Sequence, residues 1–539
     1  MTGEIFPGLE VVFKTLNPPL EIADIVIEDQ LLRAEETTRN VPLQPKIEIT
    51  FTGKVNATDF SSHTKVRLGS TFPSITLTQQ GDSSLSIQLD EQLIGYRKYN
   101  LEIDEKVSDN LDRHFEGLQT QFYTKLDSTL KFPEISDDEL LTKVQSQTFK
   151  YFWDFGHPVS GLARERNTSN ETVTSGGSGF GLMSIIVGIE RGFISRQEGV
   201  ERIAKIVTFL EEKADRFHGV WSHWLNGTTG KVVPFSANDD GGDLVETAFL
   251  AQGLLTARQY LSLDDAAESQ IISDINTLWE EIEWDWYTQE NQNVLYWHWS
   301  PNFGWEKNLK ISGWNESLIV YVLAAASPAH AIEKEVYSNG WAKNGNIVNG
   351  GNTSFYGYTL PMRSDRGGPL FFSHYSFLGL DPRNLSDQYA NYWEQNVNHT
   401  LINRAYCIAN PKNYVGYTPQ SWGLTASDGN SGYSAHSPDN DRGVITPTAA
   451  LSSMPYTPNE SMEAIKHFYY ILGDRLWGEY GFYDSFNITE NWTAQSYLAI
   501  DQGPIVVMIE NHRTGLLWDL FMSAPEVQNG LTKLGFNYE

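Results

Sequence analysis

Five carboxylates in this chain stand where acid–base chemistry could be done: Asp243 and Glu246, Glu316, Asp441 and Asp501. Asp243 and Glu246 close the run Asp239-Asp240-Gly241-Gly242-Asp243-Leu244-Val245-Glu246, which leads into an apolar stretch ending near Leu261. Three residues apart on a helix, their side chains share one face. Helix starts stabilise negative charge, so acids at such a place are also ordinary caps; repetition is what sets these apart. Five further glycine turns open apolar or small-residue runs: Ser175 to Gly179, Ile311 to Glu316, Arg366 to Pro369, Asp441 to Val444 and Asp501 to Pro504. Two carboxyl groups brought together can hydrolyse a glycosidic bond, one protonating the leaving oxygen while the other activates water or attacks carbon.

The elements that must bring them together are helices. The glycine starts recur about every 55 to 75 residues, the length of a helical hairpin with its loops, and a fixed period suggests a repeated unit. Ser136-Asp137-Asp138-Glu139 is a capping box opening an outer helix through about Asp154. An inner helix follows Gly179, and Val200, Ile203, Ala204, Val207 and Leu210 form the apolar stripe of an outer helix over 196–216. The pattern then predicts helices at 243–261 and 265–283, 313–326 and 329–340, 369–378 and 387–405, 444–454 and 460–475, and finally 504–512. Six inner helices running one way close into an (α/α)6 barrel, and all their starts gather at one mouth. Loops at that mouth carry Trp221, Trp224, Trp297, Trp299, Trp305, Trp314, Tyr375, Trp422 and Trp492, rings that can stack on sugars or fill the core.

Before the helical region, residues 1–125 alternate apolar with polar. Strands are expected at Lys46 to Phe51, Ser74 to Thr78, Leu85 to Leu89 and Tyr99 to Ile103, separated by Gly, Asn or Asp turns. This spacing suits a small immunoglobulin-like sandwich, a spacer without a catalytic cluster. Residues 126–134 then form a linker and 135–539 the barrel. The fold class is therefore multidomain and mainly α, with a small all-β domain first.

Bulk properties narrow the partners. A formal net charge of −29 argues against nucleic acid, whose phosphates want a basic surface. An acidic chain with 16 Trp, 25 Tyr and 27 Phe suits a neutral saccharide that stacks on rings and bonds to carboxylates. With Cys407 as the only cysteine, neither a disulfide framework nor a zinc cluster is available. Ser437 to Gly443 has a calcium-loop look but lacks the closing Glu, and it is read as a plain polar loop. No metal or cofactor is expected, no apolar run reaches membrane-spanning length, and a monomer is expected.

Several separated motifs carry a resemblance: Asp240 to Arg258, Gly313-Trp314-Asn315-Glu316-Ser317-Leu318-Ile319-Val320-Tyr321, Asp381-Pro382-Arg383, Trp422-Gly423-Leu424-Thr425-Ala426, Pro447 to Leu451 and Ile500 to Pro504. Over residues 135–539 the chain resembles the bacterial glycoamylase-like family, most closely glycoside hydrolase family 144. That likeness implies an (α/α)6 barrel acting on β-1,2-glucan, either internally or by releasing sophorose from an end, with inversion at the anomeric carbon. It places the acidic site residues on Asp243, Glu246, Glu316 and Asp501, and leaves out Asp441.

Environment separates the roles. Glu316 follows Trp314 and precedes an all-apolar run, the most desolvating context of the four, and burial raises a carboxyl's pKa; it is the expected general acid. Asp501, beside Gly503 and Pro504, is expected to stay ionised and to activate water. Asp243 and Glu246 are left to hold sugar hydroxyls or tune the acid. Asp240, Trp297, Trp314, Arg366, Tyr375 and Trp422 are the candidate sugar contacts. Rival readings are another glucan linkage on the same barrel, a lyase, which would want a basic cleft, and a non-catalytic glycan-binding protein of an uptake system. No signal peptide is read in the opening residues, so the expected periplasmic or cell-surface location in a Gram-negative bacterium implies one already trimmed.

Overall fold

A computed structural model describes residues 8, 17–32, 37–351 and 353–538. The chain divides into two compact units, residues 1–128 with Thr489–Asn491, and residues 129–488 with 492–539.

The first unit is a sandwich of two sheets. Its strands are β1 (Ile22–Ile27), β2 (Gln30–Leu31), β3 (Thr38–Val41), β4 (Lys46–Phe51), β5 (Thr64–Arg67), β6 (Ile75–Gly81), β7 (Ser84–Leu89), β8 (Lys98–Ile103) and β9 (Leu118–Thr124). One sheet has the order β2-β1-β4-β7-β6 and the other β3-β9-β8-β5, with β3 and β9 parallel. Alternation places Ile47, Ile49 and Phe51 of β4 in a core shared with Leu85, Ile87 and Leu89 of β7 and with Leu101, Ile103 and Phe122 of the other sheet. The four expected strands correspond to β4, β6, β7 and β8. The short strands β2, β3 and β5, with β1 and β9, carry weaker alternation and escaped that reading; residues 1–7, 9–16 and 33–36 lie outside the described residues.

In the second unit, six elements form an inner ring: helices Ser175–Glu190, Leu244–Tyr260 and Leu318–Ala326, the 3-10 turns Leu370–Ser373 and Tyr375–Phe377 taken together, and helices Pro447–Leu451 and Ala499–Arg513. Helix Ser175–Glu190 packs on Leu244–Tyr260 at one side and Ala499–Arg513 at the other, and Leu244–Tyr260 packs on Leu318–Ala326. The 3-10 turns join next. Leu318–Ala326 packs on the second turn, while Tyr456 donates from its hydroxyl to Ser373 O at 2.8 Å. Pro447–Leu451 packs on Ala499–Arg513 and the ring closes.

Outer helices follow from their caps. Asp137–Trp153 and Arg196–Glu212 each begin with a full capping box, at Ser136/Glu139 and Ser195/Glu198, and Asp265 caps Ala266–Glu280 through two backbone N–H groups. Tyr392–Ala409 and Pro458–Lys466 cover the later inner elements.

Three expectations are corrected here. The predicted outer helix 329–340 is only Lys334–Asn339. Leu318–Ala326, buried at every residue, is instead covered by the C-terminal helix Pro525–Leu534, where a Cβ on Gly530 would lie 2.8 Å from Val322 O. The helix predicted at 369–378 is two 3-10 turns broken at His374. The last inner helix starts at Ala499, not at Pro504, so Asp501 lies within its first turn.

The glycines of 176–179 also sit inside their helix, not before it. A Cβ on Gly179 would come within 2.1 Å of Phe249 O and 2.7 Å of Leu250 Cα. Glycine's poor helix propensity is outweighed by the closeness of approach it allows between Ser175–Glu190 and Leu244–Tyr260. Because only backbone could give way, Gly179→Ala is expected to destabilise the barrel by about 3 kcal/mol, measured as a lowered denaturation midpoint.

Candidate active site

Where the inner elements begin, a cavity of about 370 Å³ opens. Glu246 and Glu316 line it, with Tyr375, His223, Trp297 and Trp224, and the exposed rings of Phe235 and Tyr433 stand at its lining too.

Asp243 is the N-cap of helix Leu244–Tyr260: the backbone N–H groups of Val245 and Glu246 donate to its Oδ1 at 3.1 and 3.0 Å. Its other oxygen lies 3.1 Å from His223 Nδ1, and the residue is fully buried. One turn on, Glu246 receives the Gly176 backbone N–H at 3.0 Å and the Thr174 hydroxyl at 3.4 Å on Oε2. Its Oε1 is 3.8 Å from His223 Nε2. Burial works against a charged His223, but Glu246, Asp243 and Asp239 outweigh it and push the imidazole up to about 9. His223 is thus a cation clamped between two acids. Burial, aided by Asp243 and opposed by His223, raises Glu246 above the usual carboxyl range.

Glu316 precedes the apolar helix Leu318–Ala326, and its carbonyl accepts the Ser376 hydroxyl. Burial, with the charges of Glu246 and Asp243, pushes its carboxyl up to about 7. It therefore keeps a proton near neutrality, as a general acid must. Tyr375, buried at the cavity, feels the charges of Asp501, Glu316 and Glu246 together.

Asp501 is 2% exposed and does not line the cavity; Leu498 and Ile500 do. Burial raises its carboxyl well above the ordinary range, and the neighbouring carboxyls of Asp484 and Asp428 raise it further. The expectation that Asp501 stays ionised is corrected on this ground: burial and its carboxyl neighbours instead favour its protonated form, and among the described residues no cation pairs with it.

The structure thus gathers Glu246, Glu316, Tyr375 and Trp297 at the cavity, with Asp243 and Asp501 set immediately behind. It does not bring the other candidates there. Trp314 is buried and donates through Nε1 to Gly367 O at 3.0 Å. Trp422 is wholly buried in the core. Arg366 pairs with Asp439 and lies over the Phe355 ring. Asp240 accepts from the Ser300 hydroxyl and the Asn302 amide, tying two loops together. Asp441 accepts from the hydroxyls of Tyr406 and Tyr417 at 3.0 and 2.6 Å and anchors a loop.

Sequence reasoning missed His223, although it sits between the flagged Trp221 and Trp224. It missed Arg166, Glu165, Asp428 and Asp484 as well. Arg166 binds both oxygens of Glu165, at 3.1 and 2.9 Å through Nε, and both of Asp428, at 3.2 and 3.1 Å through Nη1. These residues lie on loops between the named elements, where no periodicity marks them.

Fold and site define the class: an (α/α)6 barrel with a carboxyl-lined, aromatic saccharide-type site at the starts of its inner elements. A family model described as "Putative glucoamylase" matches residues 308–525, and one described as a bacterial Ig-like domain matches 32–124. The solved "putative glucoamylase" of Bacteroides uniformis is 61% identical, with a TM-score of 0.74 over 75% of this chain and 99% of that one. The endo-β-1,2-glucanase of Chitinophaga pinensis, solved with sophorotriose and glucose, is 57% identical, with a TM-score of 0.73 over the same shares. An exo β-1,2-glucooligosaccharide sophorohydrolase (non-reducing end) of Parabacteroides distasonis is 49% identical over 421 residues, 74% of this chain; the match spans 58% of that relative's length. The chain belongs to the bacterial glycoamylase-like family, closest to glycoside hydrolase family 144.

Proposed function

We propose that the protein is a glycoside hydrolase that cleaves β-1,2-glucan, with Glu316 as the proton donor to the leaving oxygen. The observation that carries this reading is a carboxyl held at about 7 in a cavity whose other acids raise it, in a chain whose relatives act on this linkage. Glu246, fixed by the Gly176 N–H and the Thr174 hydroxyl, has the geometry to accept a sugar hydroxyl while keeping negative charge beside Glu316. Trp297 and Tyr375 supply apolar faces.

Asp501 stands back from the cavity, so it can reach the anomeric carbon only across a water or a substrate hydroxyl. That separation supports inversion, in which a base activates water, over retention, in which a carboxylate bonds carbon. A monomer is the working assembly. A polymeric glucan is met outside the cytoplasm, and on that ground we place the protein in the periplasm or at the cell surface.

Incubation with linear β-1,2-glucan tests the reading. Shorter β-1,2-linked products are expected, and proton NMR of the first product should show the anomer opposite to that cleaved. A ladder of sizes would mean internal cleavage, sophorose alone release from an end. An intact polymer would overturn the substrate assignment.

A further inference from the structure

Behind the cavity wall, four segments bring four carboxyls around one guanidinium. Arg166 saturates two of them, Glu165 and Asp428, by the contacts given above, and the Ser496 hydroxyl adds a further donor to Asp428 Oδ2 at 2.5 Å. Among the described residues, no cation pairs with the remaining two, Asp484 and Asp501. Asp484, in the turn after strand Gly481–Phe482, is 4% exposed, and Asp501 is 2% exposed. The Asp428 backbone N–H donates to Asp484 Oδ2 at 2.7 Å. Asp484 Oδ1 and both oxygens of Asp501 meet no donor N–H or hydroxyl among the described residues. Each of the two carboxyls shifts the other through a side-chain hydrogen-bond interaction, which makes them neighbours. A proton lying between two such buried acceptors lets one carboxyl donate to the other.

We propose that Asp484 is a positioning residue that shares a single proton with Asp501, so that the pair acts as one base. The inference rests on the hydrolase reading above. With one proton on two carboxyls, the unprotonated share is held by a hydrogen bond and not by a cation, as in other carboxyl dyads. In the reaction, an O–H bond of water breaks as its oxygen bonds the anomeric carbon, and the bond from that carbon to the leaving oxygen breaks. Glu316 gives its proton to the leaving oxygen, and the pair takes the proton from water, directly or through a hydroxyl. Solvent afterwards returns one proton to Glu316 and removes one from the pair. The groups that interact electrostatically with the pair are Asp428, Arg166, itself paired with Glu165, and the phenols of Tyr433 and Tyr375. Burial and Asp428 hold Asp484 up to about 7, consistent with sharing.

Asp484→Asn and Asp484→Ala separate proton sharing from plain structure. Asparagine can still donate a hydrogen bond to an ionised Asp501; alanine leaves that carboxyl buried without a partner. On β-1,2-glucan, Asp484→Ala is expected to lose about 100-fold in kcat with KM changed less than threefold, and its acid limb should move up by about a pH unit. Asp484→Asn should keep kcat within about tenfold, with the acid limb no higher than in wild type. Equal losses in both variants with an unmoved limb would overturn the proposal. A second measurement needs no substrate: at neutral pH, infrared difference spectra of wild type against Asp484→Asn, and against Asp501→Asn, should each show loss of one protonated-carboxyl band. If the bands behave so and wild type leaves the glucan intact, the substrate reading fails and the pair stands. If wild type cleaves and no band is lost, the pair falls and the hydrolase stands.

Discussion

Glu316→Gln is expected to lose about 10³-fold in kcat with KM little changed, and at the same time to make the protein more stable above pH 7. Glutamine keeps the shape and the hydrogen-bonding capacity of the protonated acid but has no proton to give, so the loss falls on the step in which the leaving oxygen is protonated. The stability gain has a definite sign. In the folded protein the carboxyl is held at about 7, against about 4.5 in the unfolded chain, so between those values the folded state binds more protons than the unfolded one. Stability is then lost as pH rises through this window, reaching about 2 kcal/mol by pH 8 after allowance for partial exposure. Glutamine removes that loss. Denaturation of the two proteins should coincide near pH 4 and diverge by pH 8, the variant being the more stable. In wild type, activity should fall as pH rises past about 7. A variant that is inactive but no more stable at pH 8 would show that the fold does not hold Glu316 protonated.

The same physics decides what was readable beforehand. Asp243 and Glu246 could be found because a helix start imposes a spacing, and three residues apart on one face is visible in letters alone. Glu316 was found for a related reason: an unbroken apolar run after it announces desolvation. Trp314, Trp422, Arg366 and Asp441 were misplaced because residue type says what a side chain can do, while what surrounds it depends on loops from distant parts of the chain. Trp422 is wholly buried, and Asp441 is held by two tyrosine hydroxyls from other segments. Arg166, Asp428 and Asp484 are spread over more than 300 positions of the chain on loops, which have no period. The barrel and its closure were legible from its helices, yet what covers them was not in every case. Nothing local says that Pro525–Leu534 returns to cover Leu318–Ala326, or that glycines at 176–179 are packing surfaces inside a helix.

Replacing Arg166 by methionine is expected to be the most damaging change in the second unit, because methionine keeps much of the volume and removes the one cation of the cluster. Glu165 and Asp428 would then lie uncompensated beside the Asp484/Asp501 pair, four carboxyls with no counter-charge. Removing one partner from a largely buried ion network costs about 4 kcal/mol, mostly from the charges left behind. Part of that cost can be relieved by protonation: the variant's deficit should shrink as pH falls from 7 towards 5, the reverse of what lost packing would do. Activity should drop by at least the factor expected for Asp484→Ala, since the added negative charge drives Asp501 further towards its neutral, non-basic form. Adding Asp428→Asn to the methionine variant removes one orphaned charge and should restore about half of the lost stability, a coupling read from a double-mutant cycle. If the two changes are simply additive and the deficit is the same at pH 5 and 7, Arg166 supports the site by its packing over the Glu165 loop and not by its charge.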